Sequence, residues 1–277
     1  MTEDADTPRG PNGTDRQHPF RDSRQDARVV KETPDTPQTR APAYRLAFTD
    51  TDFLMREELR PVRLQLELLK PEMILAERGI RSTVVLMGSA RIPREGEAGP
   101  GAALSGWYEV ARDLAQRITD ESLKTYGRDS VVMTGGGPGI MEAGNEGAAA
   151  AGGQSIGLNI VLPHEQAPNP FVTPDLCFNF HYFAIRKMHF LMRARAVCVF
   201  PGGFGTLDEL MECLTLIQTG RMQRIPILLF GREFWDGVIN WQALVDAGTI
   251  AESDLSIFSY VETAEDAMAL LHQRQVF

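Results

Sequence analysis

The stretch 199-VFPGGFGTLDELMECL-214 sets Gly202, Gly203, Gly205 and Thr206 between an apolar run and an acidic, helix-forming one. Glycine has no Cβ, so a turn built from it can adopt positive φ and approach a ligand closely. A helix that starts immediately afterwards points its unpaired N–H groups, and the positive end of its dipole, at whatever fills the turn. That arrangement suits a phosphate. Two more turns share the character: 88-GSAR-91, which contains Ser89, and 134-TGGGPG-139, which contains Gly135, Gly136 and Gly137.

Glu209 has two readings at this level. Thr206-x-x-Glu209 is a good capping box, with the carboxylate reaching back to the start of its own helix. If a phosphate takes those amides instead, the carboxylate is free to face the ligand. Upstream, 180-FHYFAIRKMHFLMRARA-196 carries Arg186 and Lys187 in an otherwise apolar helical run. Long cations on such a helix can snorkel to solvent, or a guanidinium there can hold an anionic nucleotide or its leaving base. His181 and His189 have no carboxylate partners at metal spacing and read as packing or hydrogen-bonding residues.

The elements that must position these residues alternate along the chain. Strands are expected at 83–88, 130–135, 155–161, 196–200 and 225–230, with a weaker one near 257–261. Helical patterns fit 102–119, 138–151, 182–194, 206–219, 233–247 and 263–273. Strands that are apolar throughout and separated by helices imply a parallel sheet covered on both faces, a doubly wound, Rossmann-like α/β sandwich. Such a sheet binds ligands at the carboxyl ends of its strands, which places all three glycine turns on one edge. Ahead of this domain, taken as residues 81–277, residues 43–80 form a helical extension in which Pro61 starts a second helix. Residues 1–42 are nearly free of aliphatic side chains and are expected to be disordered.

A formal net charge of −9 argues against binding to a nucleic-acid backbone, because that affinity comes from clustered Lys and Arg. Three cysteines, Cys177, Cys198 and Cys213, form neither a disulfide framework nor a zinc spacing, so no metal is expected and a reducing cytoplasm fits. The N-terminus lacks the apolar core of a secretory signal, and no apolar run is long enough to cross a bilayer. There is no G-x-x-x-x-G-K-S/T, and the acidic ribose ligand of a dinucleotide fingerprint is absent, which disfavours ATP hydrolysis and NAD-dependent oxidoreduction.

Taken together, 135-GGGPGIMEAGNEGA-148, 185-IRKMHF-190 and 200-FPGGFGTLDEL-210 resemble the LOG family, often labelled lysine decarboxylase, over about Thr83 to Leu229. The long N-terminus and the 161-VLPHEQAPNP-170 loop look like a longer bacterial subgroup. The resemblance implies a Rossmann-like fold, a homodimer, and cofactor-free hydrolysis of cytokinin riboside 5′-monophosphates or AMP. It implies that Gly202, Gly203, Gly205 and Thr206 bind the 5′-phosphate and that Arg186 and Glu209 are the catalytic pair, with Lys187 beside them. It also aligns Thr215 and Glu165 with substrate-contacting residues. A decarboxylase would need pyridoxal phosphate on a Schiff-base lysine, and these segments offer only Lys187. The competing class is a non-catalytic carrier of a nucleotide or a molybdenum-cofactor-like ligand. Retention of both Glu209 and Arg186 favours an enzyme, because carriage needs no carboxylate beside the ribose.

Overall fold

The computed structural model describes residues 22–163 and 167–277, in two compact units: up to Arg63, and from Leu64 onward. The expectations for residues 1–21 and for Glu165 lie outside the described residues. In the first unit, α1 (Ser23–Lys31), α2 (Pro37–Arg40) and α3 (Thr51–Leu54) are short and bury none of their residues. Composition alone predicts no order for residues 22–42. Local capping supplies it for α1, where Asp22 accepts from the Arg24 N–H and Gln25 closes the box. Helix α4 (Arg60–Glu77) carries Pro61 in its first turn, where the missing N–H costs nothing.

The second unit continues through β1 (Thr83–Met87), α5 (Gly106–Leu123), β2 (Val131–Thr134), α6 (Ile140–Ala150), β3 (Ser155–Ile160), β4 (Cys177–Phe180) and α7 (Phe183–Met192). It ends with β5 (Ala194–Val199), α8 (Phe204–Gln218), β6 (Ile227–Phe230), α9 (Arg232–Val238), α10 (Trp241–Asp246), β7 (Phe258–Val261) and α11 (Ala264–Gln273). Among the described residues the strands form one seven-stranded sheet in the order β4-β3-β2-β1-β5-β6-β7. Every pairing is parallel.

Alternation along each strand explains why the runs are apolar throughout. Val84, Leu86, Cys198 and Phe200 face a core completed by α5, α6 and α11. Val85, Met87, Val197 and Val199 face the opposite core with Leu75, Phe190, Leu210 and Trp235. Each fully buried Val, Leu or Phe side chain contributes roughly 1.5–3 kcal/mol, so both faces hold the sheet between helices.

The structure corrects three expected elements. Strand β4 was not expected. It is a four-residue edge strand with exposed Asn179 in it, so it lacks an apolar run, yet it pairs with β3 from Gly157↔Cys177 to Ile160↔Phe180. The helix expected over 233–247 is two helices, because Asn240 caps α10 by accepting the Ala243 N–H at 3.0 Å. The helix expected at 102–119 runs instead from Gly106 to Leu123, after a 3-10 turn at Ala102–Leu104.

Candidate functional site

The chain builds the sheet outward from β1 through β2, β3 and β4, then returns to the other side of β1 with β5. That reversal leaves a crevice between the carboxyl ends of β1 and β5, where open α/β sheets place their ligands. The turns after these strands interlock: the Ser89 N–H donates to the Pro201 carbonyl at 3.1 Å, and the Ile140 N–H donates to the Ser89 carbonyl at 3.2 Å. Gly139 makes this possible with φ +68°, since a Cβ there would stand 2.4 Å from the Ser89 oxygen. The result is a cavity of about 780 Å³, well within the range of small-molecule sites.

Helix α8 begins at Phe204 with Gly203 as its N-cap, and no side chain caps it. The capping box therefore does not form: Thr206 lies inside the first turn, and Glu209 does not reach back to it. Gly203, Phe204, Gly205 and Thr206 line the cavity, and the first-turn N–H groups have no intrahelical acceptors. Gly202 is required by Thr206, whose Oγ1 would lie 2.1 Å from a Cβ at that position. At Gly203 and Gly205, by contrast, a Cβ would meet nothing in the chain, although both glycines line the cavity.

Glu209, one turn further along α8, lies with Arg186 of α7 across the cavity wall. Arg186 Nη1 and Glu209 Oε1 are 3.8 Å apart, and each side chain is 12% exposed. The Arg186 Nε donates to the Leu158 carbonyl at 2.7 Å, and the guanidinium lies over the Phe190 ring, 4.9 Å from its centroid. Burial pushes the Glu209 carboxyl up to about 7, despite the opposing pull of Arg186 and Lys187. Burial likewise lowers the Arg186 guanidinium from its ordinary value, with Glu209 opposing the change. A carboxyl that titrates near neutrality beside a fixed cation in a cleft is the arrangement expected of a reacting group.

Gly135 lies beneath this pair: a Cβ there would stand 2.6 Å from Arg186 Nη2 and 2.7 Å from Met141 Sδ. Gly136 and Gly137 do not line the cavity. They are held from behind by Asn169, which donates from Nδ2 to their carbonyls at 3.1 and 2.9 Å. Asn145 joins the same buried network through Thr134, Ser155 and Asn169. Lys187 does not line the cavity and bridges to α8 through Asp208 and Glu212, at 2.9 and 3.0 Å. Thr215 is exposed further along α8, outside the cavity wall. The structure thus brings Ser89, Gly135, Arg186, Gly202, Gly203, Gly205, Thr206 and Glu209 around one space. Sequence reasoning missed the asparagine network and the apolar wall of Phe183, Phe190 and Phe234. Asn145 could have been flagged as the one amide in a small-residue helix, whereas Asn169 sits in a loop with no comparable signal.

Fold and site together define an open α/β protein with a glycine-walled cavity at its topological switch point. A family model described as possible lysine decarboxylase matches residues 141–271. The matched span carries 185-IRKMHF-190 and 200-FPGGFGTLDEL-210, two of the three motifs that resemble the LOG family. The chain is 40% identical over 77 residues to a bifunctional cytokinin biosynthesis protein of Fusarium pseudograminearum, covering 27% of this chain but only 16% of that protein. It is 26% identical to a probable cytokinin riboside 5′-monophosphate phosphoribohydrolase of Oryza sativa subsp. japonica, covering 63% of this chain and 68% of the relative. Among solved structures, a protein called TM1055 aligns with a TM-score of 0.48 at 23% identity, covering 69% of this chain and 99% of that one. No lysine lines the cavity, and Lys187 is paired with two carboxylates, so the described residues provide no amine placed for the Schiff base of a decarboxylase.

Proposed function

We propose that the protein hydrolyses the N-glycosidic bond of purine nucleoside 5′-monophosphates, AMP or a cytokinin riboside 5′-monophosphate, releasing the base and ribose 5-phosphate. The observation that carries this reading is the Glu209 carboxyl, buried beside Arg186 in the same cavity as the uncapped start of α8. In this reading Gly202, Gly203, Gly205 and Thr206 hold the 5′-phosphate, with Ser89 and Gly135 along the same wall. Breaking the glycosidic bond builds positive charge on the ribose, and the ionised Glu209 stabilises it electrostatically. Glu209 also orients the attacking water, whose hydroxyl adds to C1′ as the C1′–N bond breaks and whose remaining proton passes to the departing base. Arg186 positions the nucleotide and assists the leaving base. Binding energy from the remote phosphate is used for orientation at the reacting carbon.

Lys187 enters as a positioning residue, since it joins α7 to α8 on either side of the Arg186–Glu209 pair. We take the protein to act as a homodimer, because Phe183, Met188 and Met192 leave an apolar surface exposed on α7. Sedimentation equilibrium returning a monomer would remove that element. The three free thiols fit a reducing cytoplasm. No helix among the described residues is long and apolar enough to cross a membrane.

The test is incubation with AMP, with adenine and ribose 5-phosphate as products and adenosine as the control for phosphate dependence. Glu209→Gln should bind AMP without turning it over. Full activity in that variant removes Glu209 from the chemistry.

A further inference from the structure

An anionic ligand in this cavity needs a cation that the cavity's own ion pairs do not already use. Asp208 and Glu209 both line it and each already faces a cation, Lys187 and Arg186, the latter also held by the Leu158 carbonyl. With those two pairs closed, a phosphate monoester would meet the start of α8, equivalent to about half a unit charge. Arg91 is the other cation that lines the cavity. Its side chain is exposed and makes no ion pair among the described residues. Nearby Arg94 shows the contrast: it is held by Glu142 and Glu146 at 3.0 and 2.9 Å and lies over the Tyr108 ring.

The Arg91 backbone is fixed even though its side chain is not. Its N–H donates to Ser89 Oγ at 3.0 Å, and a Cβ on Gly101 would stand 2.3 Å from its carbonyl oxygen, so the chain packs closely on both sides. The Ser89–Pro201 hydrogen bond then ties this turn to the loop that leads into α8. A long guanidinium is therefore anchored at its base beside the glycine loop, with its fork free for a ligand.

We propose that Arg91 is the residue that determines specificity for the phosphate, pairing with a monoester held at the first turn of α8 and separating phosphorylated from unphosphorylated ribosides. A planar fork of donors matches two phosphate oxygens at once, which an ammonium cannot do. This inference rests on reading the cavity as a nucleoside 5′-monophosphate site.

The experiment is calorimetric titration of the full chain with ribose 5-phosphate, and with ribose as control, for the wild type, Arg91→Met and Arg91→Lys. Loss of a charge-assisted pair should weaken ribose 5-phosphate binding by about 10- to 100-fold in Arg91→Met. Arg91→Lys should recover part of the loss. Raising the salt concentration should weaken wild-type binding more steeply than that of Arg91→Met. Arg91→Met binding as tightly as the wild type, with an unchanged melting temperature, overturns the proposal, and so does a wild type that does not bind ribose 5-phosphate. Arg91-dependent binding in a protein that frees no base from any nucleotide would leave this proposal standing and defeat the hydrolase reading alone.

Discussion

Replacing Glu209 with Gln has a thermodynamic consequence that is independent of any substrate. The folded protein holds the Glu209 proton up to about 7, whereas the ordinary value is 4.5. Between those two pH values the unfolded chain binds fewer protons than the folded one, so stability falls as pH rises. At about 1.4 kcal/mol per pH unit, the ionised carboxylate costs the fold about 3 kcal/mol once pH exceeds 7. The side chain is only 12% exposed, so solvent screening reduces this little. Glutamine has nothing to ionise and escapes the penalty. Urea unfolding of both proteins from pH 4.5 to 8 should show the variant gaining on the wild type by about 3 kcal/mol across that range. The constant offset from losing contact with Arg186 cancels in this comparison. Parallel stability curves would refute burial as the cause of the shift and, with it, the reason for treating Glu209 as a tuned group.

The same titration should govern rate. If the ionised form acts, kcat/KM for AMP should rise through about pH 7 and then level off, lying about tenfold below the plateau at pH 6, with Glu209→Gln low and flat. Gly135→Ala puts a methyl group into the Arg186 guanidinium and Met141; activity should fall by about 100-fold and stability by about 1–3 kcal/mol, read by product release and urea unfolding. Gly205→Ala meets nothing in the chain and sits in a helix, so it should stabilise the fold by roughly 0.5–1 kcal/mol, yet lower AMP affinity at least tenfold if the open space belongs to the phosphate. Equal affinity in that variant would detach Gly205 from the ligand.

The second unit was largely legible because its strands are fully buried and read as apolar runs, and because glycine marks the turns where backbone or ligand must come close. Legibility ended where the physical cause lies outside the local sequence. Strand β4 exists because the edge of β3 offers it hydrogen bonds, and its own four residues carry little signal. Thr206-x-x-Glu209 had the grammar of a cap, but the N-cap is Gly203, three residues earlier, and only tertiary placement separates the two readings. Lys187 shared a motif with Arg186, yet adjacent residues on a helix diverge by about 100°, so one faces the cavity and the other faces α8. Arg91 was visible as part of a turn but could not be distinguished from Arg94 until the partners of each were known.

The reversal of strand order at β1 also links ligand occupancy to the integrity of the sheet. Ser89 and Thr206 follow neighbouring strands that were laid down in opposite halves of the chain, and the hydrogen bond from Ser89 to Pro201 joins their turns. An anion gripped by both turns would act as a second clasp across that seam, so melting should shift upward with ligand concentration as mass action requires. That added stability would be felt in the turns above β1 and β5, since the two strands are already paired from Thr83 to Met87.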